Sequence, residues 1–126
     1  MIEYTVKVHS DGAKEWYLEG KRHREDGPAV EFASGSKKWY LCGKLHREDG
    51  PAIEGVNGNR EWYFAGRRHR EDGPACEWHN GDKEWYLNDK RLSEQEFLCR
   101  TNPELQVIKD LREVAEKYGY KLTKRV

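Results

Sequence analysis

One heptapeptide, His-Arg-Glu-Asp-Gly-Pro-Ala, occurs three times, at residues 23–29, 46–52 and 69–75. A histidine beside two carboxylates can serve general acid–base catalysis. On that reading His23, Arg24, Glu25, Asp26 and their two repeats would be the working groups of a hydrolase. The competing reading is that the tetrad builds a turn. Aspartate before glycine accepts backbone N–H bonds in turns, proline ends ladder pairing, and the arginine can pair with an aspartate of its own or the next copy. Three identical copies would make three equivalent shallow sites. No nucleophile–base pair, phosphate loop or metal motif accompanies them. We therefore expect a structural tetrad and a non-catalytic protein with no cofactor.

Metal binding fares no better. His23, His46 and His69 would have to converge, yet equivalent residues two strands apart lie roughly 9–10 Å from each other, against zinc–nitrogen bonds of about 2 Å. The cysteines, Cys42, Cys76 and Cys99, are far apart and show no CxxC, which suggests free thiols in a reducing compartment.

The elements that carry these residues follow from a repeat. Trp16, Trp39, Trp62 and Trp85 stand at a constant interval of 23, and such a period signals a tandem array. Each unit parses into strands and turns. Glu15-Trp16-Tyr17-Leu18 is strand-like, Glu19-Gly20 is a hairpin signal, Asp26-Gly27-Pro28 punctuates again, and Ala29-Val30-Glu31-Phe32 extends to a turn at Ser34-Gly35. Alternation sends Trp16 and Leu18 to one face and Tyr17 to the other. Cys76 shares the phase of Val30 and Ile53, a small core position.

The fourth unit departs from the rest. Leu92 fills the histidine phase there, which marks that phase as a packing position. Ser93 with Glu96 forms a capping box and starts a helix. Asn102-Pro103 starts a second one, and Leu105, Ile108, Leu111, Ala115 and Tyr118 make a stripe at helical spacing before Gly119. The expected fold is mainly β with C-terminal α: tandem 23-residue β-hairpin repeats in an antiparallel single-layer array, closed by a short helical segment. It forms one domain, 1–126. An edge strand spans 1–9, with Ile2, Tyr4, Val6 and Val8 alternating; the β-repeat array spans 10–92; a helical closing segment and tail span 93–126. The closing helix is expected to pack on the last β-units.

Charge narrows the functional classes. The chain carries 23 Lys+Arg and 23 Asp+Glu, so no bulk field draws it to nucleic acid or membrane. Charged residues make up 37%, but five Trp and seven Tyr exclude disorder. The start, MIEYTVKVHS, lacks an apolar signal core, and no run approaches membrane length; a cytoplasmic protein is expected. A single-layer sheet has two faces and one helical segment to cover them, so one aromatic ladder is expected to line a binding groove. Tyr17, Tyr40 and Tyr63, with Arg24, Arg47 and Arg70, are the expected binding residues, because aromatic and arginine anchors dominate protein interfaces. The alternative ligand is a nucleotide or single-stranded nucleic acid stacked on the same rings.

The repeat also carries a resemblance. Its WYL-EG-KRH-REDGPA unit is distantly similar to MORN repeats, which form single-layer β-hairpin arrays, although His-Gly-x-Gly is replaced here by His-Arg-Glu-Asp-Gly-Pro. From Trp16 to Phe97 the chain more closely resembles small tailed-bacteriophage proteins with WY-x-x-G-K-x-H-R-x-D-G-P-A units and a final L-S-E-x-E-F segment. That resemblance implies an accessory phage protein that binds and modulates a host protein in the host cytoplasm, with a defence factor among the candidate partners.

Overall fold

The computed structural model describes residues 3–119. The chain opens with β1 (Thr5–Val8), which pairs antiparallel with β2 (Lys14–Leu18). The first unit continues with β3 (Lys21–Arg22) and β4 (Val30–Glu31). Both pair with β2, β3 along its C-terminal half and β4 along its N-terminal half. Since β1 occupies the opposite edge of β2, β3 and β4 lie in line on one side. The heptapeptide is the excursion that leaves the sheet between them.

Units two and three repeat this plan in shorter pieces. The second has β5 (Lys37–Lys38), β6 (Tyr40–Leu41), β7 (Lys44–Leu45) and β8 (Ile53–Glu54). The third has β9 (Arg60–Glu61), β10 (Tyr63–Phe64), β11 (Arg67–Arg68) and β12 (Cys76–Glu77). The fourth has β13 (Lys83–Leu87) and β14 (Lys90–Leu92). The main sheet is open and wholly antiparallel, in the order β1-β2-β4-β5-β8-β9-β12-β13-β14 with β3 also on β2, while β6–β7 and β10–β11 pair as separate two-stranded sheets.

Two kinds of turn set the register. The x-Gly hairpins have both central residues at positive φ, as at Cys42 (50°) and Gly43 (79°). This is the I′ conformation, whose twist matches that of the strands. The last copy, Asn88-Asp89, keeps the same conformation without glycine. At the other end of the strands the turns are three-residue loops. Phe32 N donates to Ser36 O at 2.9 Å and Gly35 N to Phe32 O at 3.0 Å, with glycine in the left-handed position that such loops need.

The sheet has no second layer over most of its area, so its buried residues are small or local. Ala29, Ala52 and Ala75 are fully enclosed where each excursion rejoins the sheet, and Val30 and Cys76 are buried beside them. Burial pushes the Cys76 thiol up to about 11.

Two helices follow. α1 (Glu94–Thr101) begins at Ser93, whose hydroxyl accepts from Glu96 N at 3.1 Å, and α2 (Pro103–Lys117) begins at Asn102 with proline in its first turn. α1 packs on β13 and β14 and buries Phe97 and Cys99. α2 packs on α1 and buries Ala115, but Ile108, Leu111 and Tyr118 are exposed. The expected packing of the long helix on the β-units is therefore corrected. α1 already packs on the end of the array, and α2 packs on α1 while Val107, Ile108, Leu111 and Val114 stay exposed. The side chain of Leu105 and the residue Ile2 lie outside the described residues. Among those described, no helix is long and apolar enough to cross a membrane.

Candidate functional site

Each excursion folds around its arginine. Arg47 Nε donates to Asp49 Oδ1 at 2.9 Å, and its Nη1 donates to the Pro51 carbonyl at 3.1 Å and to Glu54 Oε1 at 2.9 Å. The guanidinium lies 3.8 Å from the Trp39 ring centroid, a cation–π arrangement. Gly50 leaves room for the guanidinium: a Cβ there would sit 3.0 Å from Arg47 Cζ. Arg24 on Trp16 (4.0 Å) and Arg70 on Trp62 (3.8 Å) repeat the clamp with the same partners. Arg47 also holds the Asp49 carboxyl below its ordinary range. The tetrad arginine pairs within its own unit.

Each histidine reaches the next unit. His23 Nδ1 accepts from Cys42 N at 2.8 Å, His46 Nδ1 from Ala65 N at 2.9 Å and His69 Nδ1 from Asn88 N at 3.0 Å. These donors are the first positive-φ residues of the following hairpins. An imidazole that accepts at Nδ1 carries its neutral-form proton on Nε2, which faces Glu25, Glu48 or Glu71 at 3.3–3.4 Å. Leu92 in the last unit has no following turn to bind and is buried beside α1 instead. At the opposite end of the strands, Ser36 Oγ accepts from Val56 N at 3.0 Å and Asn59 Oδ1 from His79 N at 2.7 Å. Side chains thus tie neighbouring units at both ends. Among the described residues, no three His, Cys, Asp or Glu side chains are grouped to hold a metal ion.

The expected binding residues are brought together only in part: Tyr63, Arg47 and Arg70 line one groove. Register puts Tyr17 opposite Arg22 and Tyr40 opposite Leu45, on the face that also carries Val30 and Glu15. Arg24, Arg47 and Arg70 instead stack on the tryptophans of the other face. The tyrosine face has its own pairs. Arg68 Nε donates to Tyr63 Oη at 3.0 Å and its Nη2 to Glu61 at 2.9 Å. Burial pushes the Tyr63 hydroxyl up, and it opposes the Arg68 charge, but Tyr63 and Glu61 outweigh it and hold Arg68 above its ordinary value. Arg22–Glu15 and Arg91–Glu84 occupy equivalent places. Unit two replaces both members at once, with Lys38 for the glutamate and Leu45 for the arginine.

On the tryptophan face, successive excursions stand as ridges with grooves between them. One groove, of about 740 Å³, lies between the first two excursions and is floored by Trp39 and Leu41. The next, of about 920 Å³, lies between the second and third and is lined below by Trp62, Tyr63 and Phe64. Arg47, Glu48 and Asp49 wall both. The carboxylates of Glu25, Asp26, Glu48, Asp49, Glu71 and Asp72 stand exposed along the ridges. Sequence reasoning placed Leu18 on the tryptophan side, and the same alternation could have found Leu41 and Phe64. The grooves themselves had no sequence signal, because they exist only once the excursions leave the sheet.

The chain matches no protein family, no curated protein sequence and no solved structure.

Proposed function

We propose that the protein is a non-catalytic binding platform whose tryptophan-side face docks another protein. The observation that carries this reading is the pair of equivalent open grooves, each with an apolar floor and a carboxylate rim. A repeated trough suits an extended partner contacted at several points. A single enclosed pocket, as expected for small ligands, would favour an enzyme. The arrangement also supports a protein over a nucleic acid. The excursion arginines are each paired with carboxylates, and exposed acids on the ridges repel phosphate. The resemblance to tailed-phage proteins supports taking the partner as a host protein, with a defence factor as the first class to test.

The test is stoichiometric binding to a partner captured from host lysate, repeated with both components purified. Leu41→Ser with Phe64→Ser should abolish the complex, while Tyr17→Ala with Tyr40→Ala should spare it. Loss only in the tyrosine variant would move the interface to the opposite face. Turnover of a substrate at the excursions would overturn the platform reading.

A further inference from the structure

The two grooves share a wall, and their spacing is that of the repeat. Each unit contributes two strand lines, so equivalent floor residues recur about every 9–10 Å across the sheet. An extended chain lying across the ridges enters both grooves only if its side chains return to one face at that interval. A β-strand returns every second residue, at about 6.6–6.8 Å, and then at twice that distance. A polyproline II helix returns every third residue, at about 9.3 Å. An α-helix presents the same face at about 10.5 Å, seven residues on, and is about 10–12 Å across, too wide to sink between neighbouring ridges.

The chemistry of the grooves agrees with the spacing. Their floors pair an aromatic ring with an apolar side chain, Trp39 with Leu41 and Trp62 with Phe64, and Phe64 is 48% exposed. Aromatic-lined grooves are how polyproline II segments are recognised, because such segments lose little entropy on binding. The ridge arginines are already neutralised, so the outer rim presents Glu25, Glu48 and Glu71 with side chains 65%, 78% and 79% exposed. That rim selects cations in the partner.

We infer that the ligand of this face is a basic, proline-rich segment in the polyproline II conformation. It lies across the strands, with every third residue in a groove and the intervening arginines or lysines on the glutamate rim. This inference rests on the platform reading and names the segment that the platform takes.

The probe is a fluorescein-labelled synthetic peptide built from the repeating unit Pro-Leu-Arg. It is compared with a peptide of the same composition whose order has no three-residue period, and with a Pro-Leu-Glu peptide. The periodic basic peptide should bind at least about tenfold more tightly than the permuted one, a difference of roughly 1.4 kcal/mol, and the acidic peptide should not bind. Phe64→Ser should weaken binding by a similar factor, and so should Glu48→Gln with Glu71→Gln, which leaves the arginine clamps in place. Equal binding of the periodic and permuted peptides overturns the inference, as does unchanged binding by Phe64→Ser. No peptide binding by a protein that still captures a partner through Leu41 and Phe64 overturns the inference and leaves the platform standing.

Discussion

His46 Nδ1 accepts the backbone N–H of Ala65, nineteen residues further along the chain, at 2.9 Å. The bond takes the place of a backbone ladder partner. The flanking bonds are ordinary: Gly66 N to Leu45 O at 2.8 Å and Arg47 N to Tyr63 O at 3.3 Å. The imidazole thus spans the point where the excursion leaves the strand line and holds the next hairpin in register.

Removing that acceptor should weaken the coupling between units. His46→Ala is expected to lower stability by about 1–2 kcal/mol, a lost hydrogen bond plus a partly desolvated N–H. His46→Asn places a carbonyl oxygen near the Nδ1 position and should recover much of the loss. Urea unfolding of the two variants checks this; equal destabilisation would show that the ring matters only by filling space.

The arginine clamp and its exposed partner should behave differently. Arg47→Lys loses the planar fork that reaches Asp49, Pro51 and Glu54 together and the stacking on Trp39. It should cost about 1–3 kcal/mol and change Trp fluorescence. The Asp49 side chain is 86% exposed against 20% for Arg47, so Asp49→Ala should move the thermal midpoint only slightly. A loss for Asp49→Ala as large as that for Arg47→Lys would mean that the aspartate, rather than the ring and carbonyl, closes the excursion.

The end of the array depends on α1 and not on α2. Phe97 is 3% exposed, and Phe97→Ala should cost about 3–5 kcal/mol. Truncation after Thr101 removes a helix in which Val107, Ile108, Leu111 and Val114 are already exposed, so the shortened protein should keep cooperative unfolding. Dye binding and chemical denaturation separate the two cases, and aggregation of the truncated chain would restore α2 to the closing role.

Thiol chemistry reports on the same packing. Cys42 is exposed at a hairpin tip, whereas Cys76 and Cys99 are buried. A maleimide should label Cys42 at once and the other two only on unfolding. Burial raises the Cys76 pKa from an ordinary value near 9 to about 11. The folded state therefore holds its proton more tightly than the unfolded chain. The Cys76 contribution to stability should fall as pH rises from about 9 to about 11, and Cys76→Ala should make the slope of a base titration of unfolding shallower over that range.

The sequence by itself determined the parts that depend on near neighbours. The four tryptophans announced the period. Glu19-Gly20 and its repeats required hairpins, because positive φ is inexpensive only for a few residue types. Ser93 and Asn102-Pro103 placed both helix starts through bonds that close within a turn. Cys76 was legible as core from its phase with Val30 and Ile53. Other features needed the tertiary structure, because their partners come from another unit or across a loop. No local rule says that His46 will accept from Ala65. Arg47 follows the histidine by one residue, yet its long side chain folds back on Trp39 because the excursion carries it to that face. Tyr40 and Arg47 were expected on one binding surface, and the sheet separates them. The α2 stripe has the spacing of a packing face, but spacing cannot say whether a surface is still vacant. α1 had already filled the end of the sheet with Phe97, and only the packed chain decides which of two amphipathic helices reaches it.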